Sequence, residues 1–335
     1  MSRKLYTQTA LGLILGSTAM AEAPSVAVDI APVHSLVARV MDGVGAPNLI
    51  IPPGASPHEY SLRPSEAQSL QDADIVFWIG EDLTPWLEKS IDTLSQNAEI
   101  TTLLDQSETK LLKFRENALF EAHDHDDHDD HDHDKSHDDH DDHGHDKSHD
   151  DHEDHEGHNH GTHDPHAWLS IDNAQSWLNV FAAKLSAVDP ENADVYYGNA
   201  ASAIAELDAV EKEINATLDP VRGNSFVVFH DAYQYFENSF EFFAAGAISL
   251  SDASDPSAAR IAEVQGRIKN EGIDCILSEP QYNANMVATI LAGTNAKTEV
   301  LDPLGSSLEP GPSLYTELVY DMAETLAGCL SDAKK

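Results

Sequence analysis

Between Glu121 and Asp164 the chain is built almost entirely from Asp, His, Glu, Gly and Lys, and it holds no aromatic residue. Such a stretch has no apolar surface to set against the entropy of ordering it, so it reads as an insertion that is disordered without metal. Whatever folds must be assembled from the sequence on either side. The insertion repeats itself with a 12-residue period, His133 to His140 matching His145 to His152, as repeat slippage would produce. It carries 19 acids against Lys135 and Lys147 and so supplies −17 of the formal −40, leaving a remainder of −23. A field of that sign repels nucleic acid and anionic lipid and concentrates cations, so nucleic-acid binding is not expected.

On both sides of the insertion, short apolar runs alternate with amphipathic stretches. Before it, Val26–Ile30, Asn48–Ile51, Asp74–Gly80 and Ile100–Leu104 read as strands, with helices expected over Pro32–Met41, Pro64–Gln71 and Pro85–Leu94. After it, Phe226–Phe229, Ile273–Leu277 and Thr298–Leu301 read as strands. Helices are expected there over Ala232–Asn238, Pro256–Asn270, Ala284–Leu291 and Pro312–Leu330. Between the two regions, Val195, Ile204, Leu207, Val210, Ile214 and Leu218 recur at helical spacing from Asp189-Pro190 to Asp219-Pro220. Roughly 30 helical residues span about 45 Å, the length of a stiff connector; one ordinary core helix with a break is the alternative. The expected class is α/β: two lobes of parallel sheet flanked by helices, joined by one long rigid helix. The expected division is 22–120 and 165–188 for the first lobe, 121–164 for the insertion, 189–219 for the connector and 220–335 for the second lobe.

Arg3 and Lys4, the apolar stretch Ala10 to Met20 and the small-residue pattern Ala19-Met20-Ala21 read as a signal peptide over residues 1–21, which places the mature chain in the periplasm. The apolar run is shorter than the ~20 residues that span a bilayer, and no cysteine follows it to carry a lipid. In an oxidising compartment Cys275 and Cys329 are expected to pair, closing a loop of about 55 residues; buried thiols or soft metal ligands are the alternatives.

Outside the insertion four histidines remain, His34, His58, His166 and His230. His58 follows a strand and a proline-rich turn, His166 sits at the end of the insertion in Asp164-Pro165-His166-Ala167-Trp168, and His230 ends a strand of the second lobe. Open α/β sheets bind ligands at strand C-termini. With Asp302, which also ends an expected strand, they form a His₃Asp set drawn from both lobes. Three imidazoles and a carboxylate suit tetrahedral zinc better than the oxygen-seeking Ca²⁺ or Mg²⁺, while copper and nickel also accept such nitrogens. His34 lies at a helix start without this context and reads as structural.

Four ordered motifs resemble the ZnuA-type zinc-uptake binding proteins, within the metal-receptor class of ABC-importer binding proteins. They are Gly54–Ser65 (GASPHEYSLRPS), Asp164–Leu169 (DPHAWL), Phe229–Tyr233 (FHDAY) and Leu301–Gly305 (LDPLG), and the resemblance extends over nearly the whole mature chain. It implies a zinc site between the lobes made by His58, His166 and His230, and a pairing of Cys275 with Cys329. It also implies a monomer that delivers Zn²⁺ to an inner-membrane ABC permease, with a periplasmic zinc chaperone as a candidate donor. Relatives complete the site with an aspartate equivalent to Asp302, with an acid just before the first histidine, or with water; Pro57 removes the second option here, and of the two that remain Asp302 is favoured ahead of water. Manganese-binding relatives place a carboxylate where this chain has His230, which favours zinc.

The resemblance also implies a mobile histidine-rich loop beside the site. Its histidines are His123, His125, His128, His131, His133, His137, His140, His143, His145, His149, His152, His155, His158, His160 and His163. Their density enforces no single geometry, so weak and exchangeable metal capture is expected, fading as pH falls below about 6.5. Competing readings are a periplasmic zinc buffer, a receptor for nickel, copper or manganese, and a zinc hydrolase with Glu59 as base. The last lacks the His-Glu-x-x-His spacing common in such enzymes.

Overall fold

A computed structural model describes residues 23–115, 163–249, 257–281 and 284–331. The expected signal peptide and the insertion histidines from His123 to His160 lie outside the described residues. The first half runs β1 (Val26–Val28), α1 (Ala31–Val40), β2 (Asn48–Leu49), α2 (Pro64–Gln71), β3 (Ile75–Trp78), α3 (Pro85–Leu94) and β4 (Glu99–Thr102). Pro32, Pro64 and Pro85 stand in the first turns of their helices, where a missing N–H costs nothing. The four strands are parallel in the order β2-β1-β3-β4, and β3 is buried along its whole length, as a strand covered on both faces must be.

Two helices follow, α4 (Ile171–Val188) and α5 (Ala193–Leu218). The second half then repeats the first as β5 (Phe226–His230), α6 (Gln234–Phe240), β6 (Ala247–Ser249), α7 (Ala258–Glu271), β7 (Cys275–Ser278), α8 (Ala284–Leu291), β8 (Lys297–Val300) and α9 (Leu314–Ser331). Its sheet is parallel in the equivalent order, β6-β5-β7-β8. Both sheets begin with one clasp. The Ser25 N–H donates to Asp74 Oδ2 at 2.8 Å, and the Ser225 N–H donates to Asp274 Oδ2 at 3.2 Å.

The connector lies where expected, with helical turns running without a gap from Pro190 to Val221. Proline at 190 starts a 3₁₀ turn, Pro190–Asn192, and the α-helix proper is the 26 residues of α5, about 39 Å long. No element was expected over α4, yet it is one of the longest helices. Ser170 caps it by accepting from the Asn173 N–H at 3.3 Å, and Trp177, Phe181 and Leu185 bury its inner face. β6 also escaped the sequence, because three residues show no period.

The halves share one apolar core rather than meeting only at α5. Phe77, Trp177, Leu207, Phe226, Leu277 and Leu326 belong to a single contiguous cluster, and α9 packs on both α5 and α1. Along β5 the faces alternate, with Phe226 and Val228 in this core and Val227 and Phe229 in a smaller cluster beneath α7 and α8. Cys275 and Cys329 are bonded with their Cα atoms 5.9 Å apart, tying α9 to the start of β7.

Candidate metal centre

The repeated strand order reverses at β1 and at β5, and ligands of open parallel sheets gather in the crevice where such reversals occur. His230 is the last residue of β5, His58 lies in the irregular segment after β2, and His166 precedes a 3₁₀ turn, Ala167–Leu169. One ring nitrogen of each can be chosen so that all lie within 4.8 Å of one another. The ring centroids are 5.5 Å apart for His58 and His166, 5.9 Å for His58 and His230, and 4.9 Å for His166 and His230. His166 and His230 are buried and His58 is half-buried, so the approach lies on the His58 side. A cavity of about 430 Å³ opens there, lined by His58, Glu59, Tyr60, Ser61 and Trp86.

Each histidine is held by a neighbour. Trp86 Nε1 donates to the Pro57 carbonyl at 2.8 Å and its ring meets Tyr60 edge-on, which fixes the loop that carries His58. Asp164 Oδ1 lies 2.7 Å from His166 Nδ1 and also accepts the His166 N–H at 3.0 Å. With the Nδ1 proton assigned to that contact, Nε2 is the metal-facing atom, the arrangement by which a carboxylate orients a ligating imidazole. His230 Nδ1 is 3.4 Å from the buried carboxylate of Glu279, at the end of β7.

The pocket sets three imidazoles beside buried acids. Burial pushes the Asp164 carboxyl up to about 7 against the pull of the His166 N–H and of Arg115. Burial likewise raises Asp231, beside His230, while the Arg115 guanidinium pulls it down. Three imidazole nitrogens leave the charge of a divalent ion uncompensated in its first layer, and the carboxyl groups of Asp164, beside His166, and Glu279, beside His230, stand just outside. Nitrogen donors of this kind suit Zn²⁺, Cu²⁺ or Ni²⁺ rather than ions that want oxygen.

Asp302 stands outside the converging group. Its Oδ1 accepts the N–H groups of Leu304 and Gly305 at 2.9 and 3.1 Å, and its Oδ2 accepts the Ser306 N–H and hydroxyl at 2.6 and 2.5 Å. It organises the loop after β8. His34 is buried with Nε2 3.1 Å from the Pro47 carbonyl, and burial lowers its pKa. His163, at the edge of the insertion, lies in an antiparallel bridge with Lys113 and is not in the three-histidine group.

Sequence reasoning passed over Asp164, Glu279, Asp231 and Arg115 as supports of the site. Asp164 sits two residues before a ligand candidate, the spacing of a local side-chain turn. Glu279 follows a strand just as His230 ends one. Both signals were available; Arg115, between a loop and a charge run, gave none.

The sequence profile of the family described as zinc-uptake complex component A, periplasmic, matches residues 26–329. A protein of Brucella suis named high-affinity zinc uptake system protein ZnuA is 46% identical over 316 residues, covering 94% of each chain. One of the same name from Paracoccus denitrificans is 45% identical over 324 residues, covering 96% of this chain and 97% of its own. Among solved structures, the binding protein FpvC of Pseudomonas aeruginosa with Ni²⁺ superposes with a TM-score of 0.70 at 18% identity, over 93% of this chain and 98% of its own. That likeness concerns the fold alone.

Proposed function

The chain belongs to the family of periplasmic zinc-uptake component A proteins, and from that premise we propose that it captures Zn²⁺ between its two sheets and hands it to an ABC importer of the inner membrane. The observation that carries this reading is the convergence of His58, His166 and His230, contributed by separate segments of both halves, within 4.8 Å. These three are the proposed ligands. Because the Asp302 carboxylate already accepts four hydrogen bonds within its own loop, a water molecule is the proposed fourth ligand.

Zinc here is cargo, so the site has to bind tightly yet remain able to let go. No covalent step is required, and the chain is read as a binding protein rather than an enzyme. Export by the signal peptide over residues 1–21, work as a monomer in the periplasm, and metal gathering by the histidines of the insertion complete the proposal. Among the described residues no helix is long and apolar enough to cross a membrane.

The test is a zinc titration of the mature chain lacking residues 123–163, beside the same chain with His58, His166 and His230 changed to Ala. One tight equivalent that disappears in the triple variant is expected. Absence of tight binding in the shortened chain would overturn the cleft site and leave a buffer whose capacity lies in the insertion.

A further inference from the structure

We propose that Arg115 is a positioning residue for the metal centre, a clasp between the two halves that zinc dissociation must break. Arg115 lies beyond the first sheet, at the last described position before the insertion, and it reaches across to the second half. Its Nε is 3.0 Å from both carboxylate oxygens of Asp231, and its Nη2 also donates to Asp231 Oδ1. Its Nη1 and Nη2 donate to Glu237 Oε2 and Oε1 at 2.8 and 3.0 Å. A planar guanidinium meeting two carboxylates in this way fixes orientation as well as distance, which a lysine cannot do.

Both acids are buried, Asp231 at 7% and Glu237 at 1% exposure, so their like charges depend on the arginine. Burial works against the guanidinium charge, but the two carboxylates outweigh it and hold its pKa above the ordinary value. Asp231 follows His230 directly in the chain. The fork therefore fixes the backbone that carries the second half's ligand.

Neighbouring contacts extend the clasp to His166. The Leu112 N–H donates to the Tyr235 hydroxyl at 2.9 Å, and Gln234 Nε2 donates to the Lys113 carbonyl at 2.9 Å. Tyr235 in turn donates to the Asp164 carbonyl at 2.9 Å, and Asp164 holds the His166 ring. Residues 112–115 thus lie along the start of α6 and tie the supports of two ligands from different halves into one network. Ligands held in register without help from the metal dissociate one at a time only against that network, so its loss should speed release more than it slows capture.

This inference rests on the three-histidine reading. The experiment is stopped-flow release of zinc into excess chelator from the full mature protein, from Arg115→Lys, and from the triple variant Arg115→Met, Asp231→Asn, Glu237→Gln. The lysine keeps the charge and loses the fork, while the triple variant leaves neither carboxylate of the fork charged without its arginine and so carries the test if the single variant unfolds. Release at least tenfold faster is expected, with association changed less than threefold and a shifted Co²⁺ absorption band in Arg115→Lys. A folded variant releasing zinc at the parent rate would overturn the clasp. In the unmodified protein, zinc should slow amide exchange over Leu112 to Arg115, and equal exchange with and without zinc would also overturn it. A parent protein that binds no zinc tightly would instead sink the three-histidine reading.

Discussion

Trp168 Nε1 donates to the Pro303 carbonyl at 2.8 Å. The bond crosses from the segment that carries His166 to the loop after β8. The carbonyl of Trp168 accepts the Tyr315 hydroxyl of α9, also at 2.8 Å, so the residue is gripped by the second half at both its polar ends. Its ring lies 5.3 Å from the His166 ring. A ligand candidate of the first half is therefore positioned by contacts to the second.

Trp168→Phe keeps an aromatic ring against His166 and removes the N–H, leaving the Pro303 carbonyl buried without its donor. Losing such a partner costs roughly 1–3 kcal/mol. Thermal melting should fall accordingly, and zinc affinity should drop about two- to tenfold if half of that cost reaches the site. Calorimetric titration measures the second effect, and an unchanged Kd in a destabilised protein would mean that the grip serves folding alone.

Asp302→Ala separates two roles for one carboxylate. As a ligand it would take a coordination bond with it, and the Co²⁺ spectrum would lose intensity or shift. As the organiser of its own loop it should lower stability by about 2–3 kcal/mol while one zinc equivalent and the Co²⁺ band persist. Four accepted hydrogen bonds favour the second outcome.

That residue also marks where the sequence stopped being legible. The strand ends that nominate His58 and His230 also nominate Asp302, because position after a strand fixes which edge of the sheet a residue occupies and not which way its side chain turns. Strands covered on both faces and helices opened by proline stand out locally, so α2 and α3 lie where the pattern puts them. α4 follows the insertion directly and was absorbed into the composition change. Arg115 depends on a contact over 116 positions of chain, which no local pattern carries.

The bond between Cys275 and Cys329 closes a loop with a sequence separation of 54. In the chain-entropy description that contributes about 4 kcal/mol by restricting the unfolded state. Replacing both with Ala should lower the urea midpoint by a corresponding amount and leave the one tight zinc equivalent in place. A loss of bound zinc in the folded double variant would instead restore the cysteines as soft ligands.

Asp29 supplies a pH dependence whose sign is opposite to that of an ordinary ion-paired carboxylate. It ends the first strand segment in full burial, where Oδ1 accepts the Ile30 N–H at 2.8 Å and Oδ2 accepts the Ile79 N–H at 2.7 Å. Burial nevertheless raises its carboxyl from 3.8 to about 7. Between those values the folded chain holds a proton that the unfolded chain has released, so stability falls as pH rises, by up to 1.36 kcal/mol per unit, and levels off above about 7. Asp29→Asn cannot titrate, and the contact it loses to one of the two N–H groups is a constant offset. The difference in unfolding free energy between parent and variant should therefore shrink or change sign from pH 5 to pH 8 by a few kcal/mol, while every other titrating group cancels. Parallel curves would mean that the two backbone N–H groups hold Asp29 ionised throughout.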